Sequence, residues 1–193
     1  MLDRRTFLVK ERVGFLKLVD TYDILDPASG ASIGTATENV SGPMKALRLL
    51  VNKRLLPTKV EVRAETGGAP VLTIRRRGVF RSTVRVEDGA GHQLGSFKSK
   101  MFALGGGFFL FDAGGRQVAE VKGDWKGWNF RFLTTNGVEI GKVTKKWSGL
   151  GKELFTTADN YIIALDDNAK LSPGLNALLL AAGLAIDIVF KEK

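Results

Sequence analysis

A strand–turn–strand unit built around a glycine recurs five times along the chain. After most of these glycines an apolar residue follows three places later, a small residue comes next, and a second apolar residue lies two places beyond. The five anchors are Gly30, Gly68, Gly91, Gly115 and Gly137. Alternating or apolar residues on both sides of each anchor predict two strands, and glycine allows the positive φ of a tight reversal. The repeat therefore predicts five β-hairpins, or ten strands.

Further strands are predicted near both termini, over residues 6–9 and 161–165, which gives about twelve in total. So many consecutive hairpins would leave two unpaired edges in an open sheet, and closing the sheet removes both. The length of 193 residues suits a single domain. The sequence thus predicts one mainly β domain over residues 1–193, a closed antiparallel barrel of about twelve strands.

Two segments depart from this alternation. From about 43 to 55, apolar residues recur at helical spacing after Pro43, which predicts a short amphipathic helix inserted between strands. From about 173 to 190, the chain is apolar on nearly every side of a helix, so that helix must be surrounded by protein or lipid. Its unbroken apolar length falls short of the ~20 residues that a bilayer requires, and Asp187 interrupts it. We expect the barrel to enclose it, with a membrane anchor as the alternative.

Charge and composition narrow the classes of function. The net charge of +9 favours anionic partners such as acidic lipids, phosphorylated ligands or nucleic acid. The chain has no cysteine, which excludes disulfides, cysteine nucleophiles and thiolate zinc sites. The single histidine, His92, lies in a glycine turn, a poor place for a catalytic base. We therefore expect no enzyme activity. We also expect that the chain carries no secretory signal and is located in the cytoplasm.

Residues 141–149 (GKVTKKWSG) and 153–163 (ELFTTADNYII) resemble the C-terminal signature of phospholipid scramblases. In that family a Trp-Ser-Gly turn precedes a Phe-Thr-Asp-Ala-Asp-Asn-like run, and a hydrophobic helix with an Ile-Asp pair follows, as Ile186-Asp187 does here. The resemblance implies the Tubby-like fold, a twelve-stranded barrel around a central helix, which proteins of the LURP-one type share. It also implies lipid chemistry, namely calcium-dependent lipid movement by scramblases and phosphoinositide binding by Tubby domains.

The scramblase calcium segment maps onto residues 157–167 of this chain. Thr157 stands at its first acidic position and Ile162 at its glycine. The candidate calcium ligands that remain are Asp159, Asn160, Asp166 and Asp167. A calcium loop needs oxygen ligands at alternating positions and a glycine that makes the sharp turn. The departures favour a simple polar turn over a calcium site, and we expect no other cofactor.

Two basic clusters are the candidate lipid- or phosphate-binding residues. The first comprises Arg75, Arg76, Arg77 and Arg81, and the second comprises Lys142, Lys145, Lys146 and Trp147. Alternation along a strand sends about half of such side chains outward together. Each cation near an anionic membrane contributes about 1 kcal/mol, and a tryptophan suits the lipid–water interface.

These patterns predict non-catalytic binding of anionic lipid or phosphoinositide headgroups, at the inner face of the plasma membrane. The scramblase resemblance adds phospholipid scrambling as a further activity. The alternative is a soluble nucleic-acid-binding or regulatory scaffold that uses the same positive surface. The phosphate backbone of a nucleic acid also attracts positive charge. The sequence does not identify a protein partner.

Overall fold

The computed structural model describes residues 1–12, 19–51, 56–64, 67–77, 83–99, 107–124, 127–145 and 160–187. These residues form twelve strands and two helices. The strands are β1 (Thr6–Glu11), β2 (Thr21–Leu25), β3 (Ser32–Glu38), β4 (Thr58–Arg63), β5 (Pro70–Arg76), β6 (Thr83–Asp88), β7 (Gln93–Ser99), β8 (Gly107–Asp112), β9 (Gln117–Asp124), β10 (Asn129–Thr134), β11 (Glu139–Thr144) and β12 (Asn160–Leu165). The helices are α1 (Gly42–Leu47) and α2 (Pro173–Ala185).

The strands form one closed barrel in which sequence neighbours are also spatial neighbours. Each strand pairs antiparallel with the next, and β1 pairs with both β2 and β12, which closes the ring. Alternate side chains of each strand point inward, so the buried apolar residues of the strands form one core. The prediction of a closed antiparallel barrel of about twelve strands is confirmed.

The five predicted hairpin turns lie together at one end of the barrel, which we call the turn end. One glycine in each turn has positive φ: Gly30, Gly67, Gly91, Gly115 and Gly137. In the β4–β5 turn the residue is thus Gly67, and the anchor expected at Gly68 is wrong by one position. Each of these five strand pairs also has a register shift close to the turn, which bends the pair and helps the sheet to curve.

The small residue of the repeat lies where the next strand approaches closely. A Cβ on Gly95 would lie 2.3 Å from the backbone oxygen of Phe111 and 3.0 Å from Leu178 Cδ1 of α2. A Cβ on Gly141 would lie 2.7 Å from the backbone oxygen of Ala164. Small residues at these positions therefore allow strand and helix to pack tightly at the turn end.

Helix α2 occupies the centre of the barrel, as the sequence predicts. It begins at the turn end, where Ser172 Oγ accepts a hydrogen bond from the Leu175 backbone N–H at 3.2 Å. Every residue from Asn176 to Ala185 is buried. The helix contacts β12 on one wall and β5 and β7 on the opposite wall. The α-helix covers Pro173–Ala185, and residues 186–187 continue it as a π-helical turn. Residues 188–193 lie outside the described part of the chain, so the expected end at about 190 stays a prediction.

Helix α1 differs from its prediction in length and in packing. It covers Gly42–Leu47 instead of about 43–55, and residues 52–55 are not among those described. It buries none of its residues, and Leu47, Leu49 and Leu50 are 39%, 69% and 86% exposed. The physical reason is that α2 already fills the barrel, so no apolar core surface remains for the leucines to cover.

The end of the barrel opposite the turns is called the loop end. Here β3 leads into α1, β5 ends at Arg76, β11 ends at Thr144 and β12 begins at Asn160. The C-terminus of α2 also points to this end, since the helix begins at the turn end. The described members of both predicted basic clusters lie at or near strand ends at the loop end.

Candidate anion-binding surface

Acidic side chains at the turn end accept hydrogen bonds from backbone N–H groups of the hairpin turns. Asp26 Oδ1 accepts a hydrogen bond from the Ala28 N–H, and the same contact joins Asp88 to His92 and Asp112 to Arg116, at 2.8 to 2.9 Å. Backbone hydrogen bonds lower the pKa of each of the three carboxyl groups; for Asp26 the donors are Ser29 first and then Ala28. Asp26 and Asp112 are also paired with Arg4 and Arg116. These carboxylates therefore have a structural use in the turns.

The first basic cluster lies beside α1 at the loop end. A groove of about 460 Å³ runs between the α1 segment and the outer face of β4 and β5. Its lining includes Arg75, Arg76, Arg77 and Lys59, together with Asn39, Ser41, Met44 and Glu87. We call this the α1 groove. It brings together three of the four residues predicted for this cluster, and Arg81 lies outside the described residues.

The cations of the α1 groove differ in how they are held. Arg75 Nε donates to Glu87 Oε2 at 2.8 Å, and half-buried Arg76 donates to Thr58 Oγ1 at 3.1 Å. Arg77, at the end of β5, is exposed and has no ion pair within the described part of the chain. Arg77 is therefore the cation of this groove with the greatest freedom to meet a ligand.

Lys59 is compensated by its neighbour on β4. It forms an ion pair with Glu61, whose second oxygen contacts Arg63. The Lys59 hydrogen bond, with those from Asn39 and Arg63, lowers the pKa of Glu61 to about 2 in spite of its burial. This carboxylate stays ionised and holds the wall of the groove.

A buried ion pair fixes the segment that carries the exposed leucines. Arg48 follows α1 and pairs with Glu38 at the end of β3; Nη1 donates to Oε2 at 2.7 Å and Nη2 contacts Oε1. The side chains are 4% and 0% exposed. Arg48 is thus anchored to the barrel, while Leu49 and Leu50 beside it face water.

The second basic cluster is only partly assembled. Lys142 is exposed on the outer face of β11, whereas Lys145 Nζ lies 4.7 Å above the ring of Trp128, a cation–π contact. Lys146 and Trp147 lie outside the described residues. Lys142 and Lys145 therefore meet different surroundings.

The predicted calcium ligands lie at the two ends of one strand. Asn160 begins β12 at the loop end and is buried, whereas Asp166 and Asp167 follow β12 at the turn end and are exposed. Six residues of strand separate them by about 20 Å, so these residues do not surround one ion; Asp159 is outside the described residues. Asp166 instead accepts the Asn168 N–H at 2.9 Å, as a polar turn requires. No cluster of three metal-binding side chains occurs among the residues described.

A family model for scramblases matches residues 19–193, nearly the whole of the barrel. The chain belongs to the scramblase family. The resemblance recognised in its C-terminal third is confirmed. Membership of this family suggests a lipid-related function.

Curated relatives of this scramblase-family chain match over a short segment. Phospholipid scramblase 2 of Bos taurus is 44% identical over 55 residues, and phospholipid scramblase 1 of Mus musculus is 41% identical over 56 residues. Each match covers 28% of the chain, and 17% and 16% of the two relatives. The chain thus matches about a sixth of the length of these relatives.

A solved structure supports the fold of this scramblase-family barrel. The X-ray structure of a protein from Arabidopsis thaliana superposes with a TM-score of 0.56 over 94% of this chain and 89% of that chain, at 14% identity. The fold is Tubby-like. Among the residues described, no helix combines the length and the apolar character that a membrane crossing needs.

Two features of this scramblase-family surface were not predicted from the sequence. Lys122 on β9 and Arg131 on β10 lie beside Lys142, because the strand register places all three in one row. Alternation in β9 and β10 was a usable signal, but the register of the pairing was needed to align them. The exposure of Leu49 and Leu50 had no signal, since their spacing predicts an apolar face packed on the barrel.

Proposed function

We propose that this scramblase-family protein binds anionic lipid headgroups, phosphoinositides included, at a membrane surface and without catalysis. One observation carries the proposal: a basic groove with Arg75, Arg76 and Arg77 lies beside a helical segment that exposes Leu47, Leu49 and Leu50. Charge and apolar surface are therefore presented together at the loop end.

The cations supply attraction to an anionic surface. Each lysine or arginine close to such a surface contributes about 1 kcal/mol, and the attraction falls off within a Debye length. Arg77 has no competing ion pair among the described residues, and Arg75 is shared with one carboxylate. This arrangement supports salt-sensitive, reversible binding.

The leucines favour lipid over nucleic acid as the partner. A leucine side chain gains roughly 1.5 to 3 kcal/mol when it leaves water completely. The acyl region of a bilayer offers that environment, whereas a phosphate backbone does not. The nucleic-acid alternative explains the cations of the α1 groove and leaves the three leucines without a role.

The position of α2 supports binding without scrambling by this helix. Insertion of α2 into a bilayer would expose the inner faces of the strands that it covers. Its 13 residues span about 20 Å, short of the ~30 Å hydrocarbon core. We propose a peripheral location at the cytoplasmic face, where anionic lipids are concentrated.

Co-sedimentation with vesicles tests this proposal. We expect binding to phosphatidylcholine vesicles that contain phosphatidylserine or a phosphoinositide, weaker binding as salt rises, and no binding to phosphatidylcholine alone. Arg77→Glu and Leu50→Asp should each weaken binding at least fivefold, since both side chains are exposed and their loss leaves the core intact.

The matched controls lie at the turn end. Lys170→Glu reverses an exposed charge, and Val138→Asp replaces a residue that is 61% exposed; both should bind as the wild type does. Equal losses in controls and test variants would contradict the proposed surface. Binding to duplex DNA with a steep salt dependence, and to no vesicle, would support the nucleic-acid alternative. We expect vesicle binding to be independent of calcium, because Asn160 and the pair Asp166 and Asp167 lie at opposite ends of β12. Loss of binding in the presence of a chelator would contradict this expectation.

A further inference from the structure

We propose a second anion site on the outer face of β9, β10 and β11, built to hold a phosphomonoester group. Three strands separate this face from β5 along the ring, so it is distinct from the α1 groove. Nothing in the membrane-binding proposal requires this second site.

The strand register places three cations in one line. Arg131 on β10 lies directly opposite Lys122 on β9 and Lys142 on β11. Directly opposed residues in an antiparallel pair have Cα atoms about 5 Å apart, so the row spans about 10 Å. All three side chains are exposed.

Such a row is unfavourable for the isolated sheet, because like charges directly opposite each other destabilise strand pairing. Lys122 Nζ is paired with Glu120 Oε1 at 2.6 Å. Arg131, the middle cation, has no ion pair among the residues that the structure describes. Lys142 also has an interaction partner. A bound anion would therefore compensate chiefly the charge of Arg131, at the centre of the row.

The row lies in a groove of about 830 Å³. Its floor and rim include Gly123, Gly127, Asn129 and Thr144, with the carboxylates of Asp124 and Glu139. Asn129 adds an amide to this lining. Asp124 is occupied in part by the turn, since its Oδ2 accepts the Gly127 N–H at 3.0 Å.

The chemistry of the row selects the ligand class. A phosphomonoester carries up to two negative charges and three terminal oxygens, so it can accept from three cationic donors. A phosphodiester carries one charge and two free oxygens. The planar guanidinium of Arg131 matches two phosphate oxygens, and the flanking lysines act as point charges.

Amide chemical-shift mapping by NMR, with glycerol 3-phosphate as the probe, tests the site directly. We expect saturable shifts at residues 122, 131 and 142, and at least fivefold weaker binding of dimethyl phosphate, a phosphodiester. Arg131→Gln and, as a second variant, Lys142→Gln should each weaken glycerol 3-phosphate binding about tenfold, the value of one charged hydrogen bond. Arg116→Gln, whose side chain is 87% exposed at the turn end, is the control and should bind normally.

Vesicles distinguish a lipid source of the phosphomonoester from a soluble one. Tighter binding to phosphatidic acid than to phosphatidylserine at equal surface charge, lost in Arg131→Gln, would identify the lipid. Glycerol 3-phosphate shifts without that preference would identify a soluble ligand. Absence of shifts in the groove, equal affinity for the phosphodiester, or unchanged affinity in both variants would overturn the proposal. If Arg77→Glu loses vesicle binding but still binds glycerol 3-phosphate, the loss concerns the α1 groove and the phosphomonoester site remains supported.

Discussion

At the residue scale, a buried ion pair anchors the segment after α1 to the barrel at the loop end. Arg48 and Glu38 exchange two hydrogen bonds where water hardly reaches either side chain. Removing one member of a buried pair strands the other charge in a poorly solvated position. The pair thus links β3 to the segment that presents Leu49 and Leu50.

Arg48→Met should therefore destabilise the protein by about 3 kcal/mol, because the Glu38 carboxylate loses its two donors and its counter-charge. Denaturant unfolding measures this change. Arg48→Met/Glu38→Leu should recover most of the loss, since no buried charge remains.

Arg116→Met is the matched control for the arginine loss. Its partner is Asp112, and the arginine side chain is 87% exposed, so its removal should cost less than about 1 kcal/mol. Equal destabilisation by Arg48→Met and Arg116→Met would show that burial of the first pair has no energetic consequence.

At the element scale, four of the five hairpins have a small residue beside the register shift, and in β5 the large residue Leu72 takes this place. Gly95 shows the constraint most clearly, because an added Cβ would contact backbone of β8 and a leucine of α2 at once. Backbone cannot move as a flexible side chain can, so the strand or the helix must shift.

Gly95→Ala should destabilise the protein by about 2 kcal/mol or more, the range expected for overpacking. Gly42→Ala is the control, because nothing lies within 4 Å of its added Cβ; its stability should stay equal or rise slightly. Thermal or denaturant unfolding compares the two. If the Gly95→Ala protein is as stable as the Gly42→Ala protein, the strand or the helix can shift at this contact without loss of stability, which would contradict the prediction.

The hairpins and α2 were predictable from the sequence because their signals are local. A glycine turn between alternating residues specifies a hairpin, and an all-round apolar helix requires burial. The helix after Pro43 was also predictable, but its short length and the exposure of its leucines were not, because helical spacing carries no information about whether core surface is left to cover. The row of Lys122, Arg131 and Lys142 depends on pairing register, which joins residues far apart in sequence. The two basic clusters, one with Arg77 and one with Lys142, were predictable from the sequence as groups of positive charge. That they lie on different parts of the barrel was not predictable.

At the scale of the whole molecule, the barrel has two unlike ends. The turn end holds tight glycine turns with aspartates bound to backbone N–H groups. The loop end holds the α1 groove and the exposed leucines. If the protein binds a membrane as proposed, this difference would orient the barrel there, with the loop end toward the lipid.

Fluorescence from a single labelled cysteine tests this orientation most directly, and the natural chain has no cysteine to remove. We would attach an environment-sensitive dye to Leu50→Cys and, separately, to Val138→Cys, both of which are exposed positions. With vesicles containing anionic lipid, the account predicts a blue shift and brighter emission at position 50 and no change at position 138. A bound protein whose dye changes at position 138, or at neither position, would contradict the claim that the loop end faces the membrane.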